Sequence, residues 1–245
     1  MVVAAAREIR DGEMVFVGMR LPLLGFAVAK ELHAPSAIGI FENGVIRDRP
    51  ALEPIFTISD PPNVARALYC GGVLDVMSLL QSGQVDLGFI GGAEVDRFGN
   101  LNTHWVEESG KKIRLPGSGG AADIATLARR CIIIMNHEKR RFRPRVHFIT
   151  SPGYGEGGDW HRMKHIHGGG PSRVITSLGI FSFDPASGEM LLSFFHPGVT
   201  VEEIRDETGW PLRVSGDLRE TPPPSPEELA AVRKYDPKGV WTANG

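Results

Sequence analysis

The sequence predicts an α/β protein: an open, mostly parallel sheet with helices on both faces, followed by a C-terminal part rich in β-hairpins. Three observations carry this. Short apolar strands alternate with helical stretches through the first half of the chain. Strands separated by helices require right-handed crossovers and parallel pairing. After about residue 145 strand follows strand, with turn residues between. With 245 residues, 42% hydrophobic and 23% charged content, there is material for a full core, and the chain reads as one domain, 1–245.

Taken in order, "VVAAAREI" has helical periodicity and stops at Asp11-Gly12, and "MVFVGM" is a short strand. "LPLLGFAVAKELHA" is a helix whose Pro22 suits a first turn. Ala37 to Phe41 form the next strand. A crossing marked by Pro50, Pro54, Pro61 and Pro62 leads to two helical patterns, "NVARALY" and "VLDVMSLLQSG", and then to the strand "VDLGFIGGAEV". "GSGGAADIATLARR" reads as a glycine loop opening a helix, and "CIIIMNH" as a buried strand. "RVHFIT", "SRVITSLGIFSF" and "EMLLSFFHP" read as strands, the last two joined as a hairpin across "DPASG". Thr200 with Glu203 and Ser225 with Glu228 match capping boxes, and Pro226 stands at a favoured first helical position.

A net charge of −2 gives no field suited to nucleic acid or an anionic membrane, so neither is an expected partner. Cys70 and Cys131 sit in apolar or helical context and read as reduced core thiols. No run of about 18 apolar residues occurs, and "MVVAAAREIRDGE" turns charged too early for a signal peptide. The expectation is a cytoplasmic protein.

Glu42 sets a carboxylate at the mouth of an apolar strand, directly before Asn43-Gly44, a dipeptide that readily turns. By itself this is more often an exposed turn residue. "FVGMRLPLLG" follows a strand in the same way, and ligands of open α/β sheets bind at the carboxyl ends of strands. In "GGAEVDRFGNLNT", Asp96 and Asn102 flank a Gly99 turn, which local chemistry explains as a hairpin with Asx bonds. Gly117, Gly119 and Gly120 open a helix, where free N–H groups suit a phosphate, carboxylate or oxyanion; tight packing explains them almost as well. His161, His165 and His167 lie in what reads as a mobile aromatic and basic lid, and with no Asp or Cys completing a ligand set no metal is expected. Lys139, Arg140, Arg141, Arg143 and Arg145 read as a solvated surface or subunit contact, with a polyphosphate contact as the alternative.

Seven stretches, "VGMRLPLLGFAVAKELHAP", "FENG", "FIGGAEVDRFGNLN", "GSGGAADIA", "MNHEKRRF", "ITSPGY" and "TSLGIFSFD", together resemble the B (β) subunits of the family I CoA-transferases, the glutaconate branch above all. They follow the family's order and span about three quarters of the chain. The resemblance implies the CoA-transferase fold, which is NagB-RpiA-like. It also implies that Glu42 is the nucleophile, forming a glutamyl-CoA thioester while CoA passes between an acyl-CoA and a short carboxylic acid, dicarboxylic or oxo. Gly117, Gly119 and Gly120, with Asn43 and Gly44, become candidates for binding CoA or an oxyanion. The CoA thioester is then a substrate, no tightly bound cofactor is required, and a homologous A (α) subunit completes a hetero-oligomer.

Two features depart from the pattern. The turn reads E-N-G, as in the 3-oxoacid branch, where the glutaconate branch tends to E-S-G. Arg20 stands where relatives commonly have glycine, which makes it a candidate for an acid substrate's carboxylate, together with Asn102. A CoA-thioester hydrolase or decarboxylase on the same scaffold is the first alternative, disfavoured by the retained Glu42. A non-catalytic CoA-ligand-binding subunit is the second.

Overall fold

Apolar strands end where turn chemistry or a polar partner captures the backbone, and this sets most boundaries in the computed structural model, which describes residues 1–51, 53 and 55–242. Pro54 of the proline crossing lies outside the described residues. The chain divides into two compact units, residues 1–89 with the segment from residue 223 onward, and residues 90–222.

The first unit opens with α1 (Val2–Arg7), β1 (Met14–Phe16), α2 (Leu21–Leu32) and β2 (Ile38–Ile40). It continues with β3 (Val45–Arg47), α3 (Pro61–Val64), β4 (Tyr69–Cys70), α4 (Val73–Gln81) and β5 (Leu87–Ile90). Its sheet runs β5-β1-β2-β3-β4. Pairing is parallel on both sides of β1 and antiparallel from β2 outward. Two neighbouring parallel strands therefore end on one rim. Helix α2 is buried through most of its middle turns, and Gly39 admits it to the sheet: a Cβ there would stand 2.8 Å from the Phe26 ring.

The expected helix "NVARALY" is displaced. Helix α3 starts at Pro61, and Arg66 takes a left-handed φ of 59°. The chain then pairs with β3 through Leu68 N–H to Ile46 O, making Tyr69–Cys70 an edge strand. Cys70 is exposed there, contrary to its reading as a core thiol, whereas Cys131 is buried; both are free thiols.

The second unit holds β6 (Glu94–Asp96), β7 (Leu101–Asn102), β8 (Trp105–Glu108), β9 (Lys111–Arg114), α5 (Ala121–Leu127) and β10 (Arg130–Ile134). Then come β11 (Phe142–Arg143), α6 (Trp160–Met163), β12 (Pro171–Ile175), β13 (Gly179–Phe183), β14 (Met190–Phe195), α7 (Val201–Asp206) and β15 (Arg213–Glu220). Strands run β15-β14-β13-β12-β10, with β13 and β14 antiparallel as the hairpin reading requires; the single strand expected over "SRVITSLGIFSF" is two, β12 and β13, because the Thr176 N–H and hydroxyl close a turn on Gly179 O. The single strand expected over residues 85–95 is two, β5 and β6, because Gly91-Gly92 turns the chain where a Cβ on Gly92 would come within 2.8 Å of Leu101. "RVHFIT" is not a strand: the His147 N–H goes to the Glu94 carboxylate, 3.1 Å, and the short strand is β11 just before it.

The last helix, α8 (Pro226–Tyr235), returns to the first unit. Arg7 clamps it through Glu228 at 2.7 Å. Both capping boxes form as expected, Thr200 with Glu203 and Ser225 with Glu228.

Candidate active site

Parallel pairing of β1 with β2 sets Phe16 beside Ile40, and Val17 N–H extends the ladder to Ile40 O at 2.9 Å. The residues that follow, Val17 to Arg20 and Phe41 to Gly44, consequently leave the sheet side by side. This is the carboxyl rim where open α/β sheets carry their ligands.

Glu42 sits in the loop that joins β2 to β3. Phe41 O accepts from Gly44 N–H at 2.9 Å and Phe41 N–H donates to Val45 O at 2.9 Å, so residues 42–44 form a three-residue hairpin loop. Gly44 supplies its left-handed residue, φ 98°, and Asn43 keeps a negative φ. Glycine is needed twice over, since a Cβ at residue 44 would also lie 2.4 Å from Gly71 O. Gly71 N–H answers with a 3.0 Å bond to Gly44 O, tying the loop to the start of α4. Asn43 fixes the other side: its amide donates to Ile58 O at 2.7 Å, and its Oδ1 accepts from Val45 N–H at 3.4 Å. With Phe41 buried beneath, Glu42 is held half-buried on a loop pinned at three points.

Sequence reasoning missed two supports of this loop. Gly71-Gly72 carries only the weak signal of a doubled glycine before a helix. Arg47, three residues beyond the loop, is a charge yet it is buried, and its guanidinium donates to the carbonyls of Arg49, Pro62 and Ala65 at 3.0, 3.2 and 2.9 Å and to that of Asn63. It organises the segment that meets Asn43.

Arg20 is exposed at the N-cap of α2, with φ 64° and ψ −118°. Its guanidinium lies over the Trp241 ring, 5.5 Å from the centroid.

In the second unit, Gly117 and Gly119 both take positive φ, 101° and 51°, and Gly120 caps α5. Gly117 N–H is engaged with Thr103 O at 2.8 Å, while Gly119 is exposed and Gly120 buried. Asn102 is fully buried. Its amide donates to Glu94 Oε2 and to Trp105 O, both at 2.7 Å, and its Oδ1 accepts from His104 N–H at 2.9 Å, so no amide proton is left for a substrate. Asn102 holds a hairpin together. The same hairpin carries the Asx pattern read from Asp96: its Oδ1 accepts from the N–H groups of Phe98 and Asn100 at 3.0 and 3.1 Å. Burial nevertheless raises the Asp96 carboxyl above the ordinary range.

The presumed lid is anchored. Buried Asn100 donates to Gly155 O at 2.8 Å and accepts from Gly153 and Gly155 N–H at 2.9 and 3.1 Å. His161 Nε2 meets Gly153 O at 2.6 Å, and the Tyr154 hydroxyl donates to Pro171 O at 3.1 Å. Among the described residues, no group of three or more His, Cys, Asp or Glu side chains could hold a metal ion. The basic run pairs within its own unit: Arg140 and Arg141 with Glu138, Arg143 with buried Glu94, and Arg145 with Glu156. No helix among the described residues is long and apolar enough to cross a membrane.

The sequence model described as Coenzyme A transferase matches residues 1–207. This chain belongs to the coenzyme A transferase family. The B subunit of 3-oxoadipate CoA-transferase from Pseudomonas knackmussii is 38% identical over 238 residues, covering 96% of this chain and 91% of that protein. The B subunit of glutaconate CoA-transferase from Acidaminococcus fermentans is 34% identical over 242 residues, covering 95% and 89%. The crystal structure of that glutaconate enzyme superposes with a TM-score of 0.90 at 31% identity, over 98% of this chain and 95% of the other. The decarboxylase AibA/AibB shares the fold, with a TM-score of 0.84 at 26% identity over 99% and 95%. The α/β fold expected of a CoA-transferase is therefore present, and a CoA thioester is the family's substrate.

Proposed function

We propose that this chain is the catalytic B subunit of a heteromeric CoA-transferase, and that Glu42 is its nucleophile. The observation that carries the reading is the placement of Glu42 on a glycine-closed loop at the carboxyl end of β2, pinned at three points and half-buried. The Glu42 carboxylate attacks the thioester carbonyl and expels CoA thiolate, leaving a mixed anhydride. The thiolate then attacks the glutamyl carbonyl and releases the acyl group as a free carboxylate, so Glu42 holds CoA as a thioester. An acceptor carboxylate reverses the steps. Each tetrahedral intermediate needs fixed N–H donors, and on the Glu42 loop we assign that role to the Asn43 N–H, since Gly44 N–H is spent on Phe41 O. Water must be kept out, because hydrolysis of either intermediate would discharge it.

No tightly bound cofactor enters this scheme, and the free thiols Cys70 and Cys131 suit the reducing cytoplasm. The substrate class we infer is a short dicarboxylic or 3-oxo acid, supported by the two relatives named for 3-oxoadipate and glutaconate. The partner we infer is a homologous A subunit, supported by relatives named as B subunits.

The test is intact mass of the chain, co-produced with its A subunit, after exposure to glutaconyl-CoA without an acceptor acid. A CoA-sized adduct on the Glu42 peptide that disappears when a carboxylic acid is added supports transfer. Free CoA accumulating without an acceptor indicates a hydrolase, and CO2 release indicates a decarboxylase, the activity named for AibA/AibB. Ligand binding without turnover or adduct leaves a binding subunit.

A further inference from the structure

Arg20 occupies a position that protein physics argues against on two counts. Its φ of 64° with ψ −118° mirrors the ordinary first turn position, a conformation in which glycine dominates and a Cβ is strained. It also brings a cation to the N-terminal end of the 12-residue helix α2, where the helix dipole favours negative charge. Among the described residues Arg20 forms no ion pair that would offset the charge. Its guanidinium instead lies over the face of Trp241.

That contact is built with care. Buried Asp236 accepts from Val240, Trp241 and Thr242 N–H at 2.7, 3.0 and 3.0 Å, folding the chain after α8 into a tight turn that presents the indole. Trp241 packs near Phe56, 6.1 Å between ring centroids, and lines one apolar pocket with Leu23 and Phe41. Phe41 immediately precedes Glu42. Arg20 is thus linked to the Glu42 loop through the paired ends of β1 and β2, and Trp241 lines the same pocket as Phe41.

We propose that Arg20 is the residue that selects the acid: its guanidinium, steered by stacking on Trp241, receives the carboxylate at the far end of an acid whose near carboxyl reacts at Glu42. This rests on Glu42 being the nucleophile. A guanidinium held over a ring face can still turn N–H donors outward, the groups that a carboxylate meets with two parallel bonds. Trp241 acts as a positioning residue. The strain at residue 20 is then the cost of placing a charge where the backbone would accept only glycine with ease.

The test uses the chain in complex with its A subunit, acetyl-CoA as donor, and glutarate and pentanoate as five-carbon acceptors that differ only in the second carboxylate. In Arg20→Gly the ratio of kcat/KM for glutarate over pentanoate falls about 30-fold, the size expected for a charge-assisted bidentate contact. Arg20→Lys falls by less, keeping the charge and losing the fork. Arg20→Gly melts no lower than the parent protein, since glycine relieves the strained φ. Trp241→Leu raises KM for glutarate more than for pentanoate with little change in kcat, a split that a purely structural role would not produce. An unchanged acid ratio in Arg20→Gly overturns the proposal, whether or not subunit association weakens. Failure of the parent reading is separately visible, because an unsubstituted complex that forms no Glu42 adduct removes the nucleophile itself.

Discussion

His137 gives the most direct physical test of the second unit. It is buried, stacked on Phe142 at 3.7 Å between ring centroids with the planes 8° apart, and 5.5 Å from the Phe181 ring. Its nitrogens face two threonine hydroxyls, Nδ1 at 3.3 Å from Thr176 Oγ1 and Nε2 at 3.2 Å from Thr208 Oγ1. Thr176 has little left to offer: its hydroxyl donates to Gly179 O and accepts from the N–H groups of Leu178 and Gly179. Burial outweighs the backbone hydrogen bond to Glu207 that would favour the charged ring, and it pushes the imidazole down from 6.5 to about 4. The folded state therefore binds fewer protons than the unfolded chain between those values. Stability is fully present above pH 6.5 and is lost as pH falls towards 4. At about 1.4 kcal/mol for each pH unit of that interval, the loss approaches about 3 kcal/mol.

The assay is urea unfolding of the parent protein and of His137→Gln at pH 7, 6, 5 and 4.5. Glutamine does not titrate, so its packing defect is constant with pH, while the histidine penalty grows. The stability difference between the two proteins should narrow by about 2 to 3 kcal/mol across the series. Carboxylates and the other histidines are shared by both proteins and cancel in the difference. A difference that stays constant from pH 7 to 4.5 would refute the argument, showing that His137 takes up its proton as readily folded as unfolded.

Three other outcomes follow from single contacts. Gly44→Ala meets both a left-handed φ and a carbonyl 2.4 Å from its new methyl, and should cost at least about 2 kcal/mol in a thermal melt and abolish the Glu42 adduct by mass. Asn100→Ala strips buried Asp96 of an amide donor and leaves the N–H groups of Gly153 and Gly155 unanswered; a loss of about 2 to 4 kcal/mol and new proteolytic cleavage near residues 153–158 are expected. The Cys131 thiol, pushed up to about 12 by burial, should resist a thiol reagent that modifies exposed Cys70, giving one labelled cysteine in the native protein and two in denaturant.

What the sequence revealed is what local chemistry decides. The capping boxes at Thr200 and Ser225 and the Asx turn at Asp96 involve partners within four residues, and each formed as read. What it concealed depends on distant partners. His147 reads as part of a strand until its N–H is seen bound to Glu94, 53 residues earlier. Asn100, which no local pattern singles out, is used by Gly153 and Gly155, whose N–H groups come from 53 and 55 residues away to its side-chain carbonyl oxygen. The "lid" was misread for the same reason: glycines suggest mobility, but several are close-packing sites, as at Gly155, where a Cβ would stand 2.0 Å from the Trp160 ring.

The candidate site divides along the same line. Glu42 could be found because a charge at the end of an apolar strand, followed by Asn-Gly, is a local anomaly that the resemblance turned into a role. The scaffold that aims it could not, since Gly71 and Arg47 act through contacts closed only in the fold. Yet that scaffold matters to the chemistry. A carboxylate that becomes first an anhydride and then a thioester must present one carbonyl to two successive nucleophiles, and a few tenths of an ångström of drift would disfavour one of the two attacks. A loop fixed by Gly44 against Gly71, by the Asn43 amide against Ile58 O and by buried Phe41 beneath meets that requirement. Those three contacts are made by Gly44, Asn43 and Phe41, so they persist whichever covalent state the Glu42 carboxylate takes.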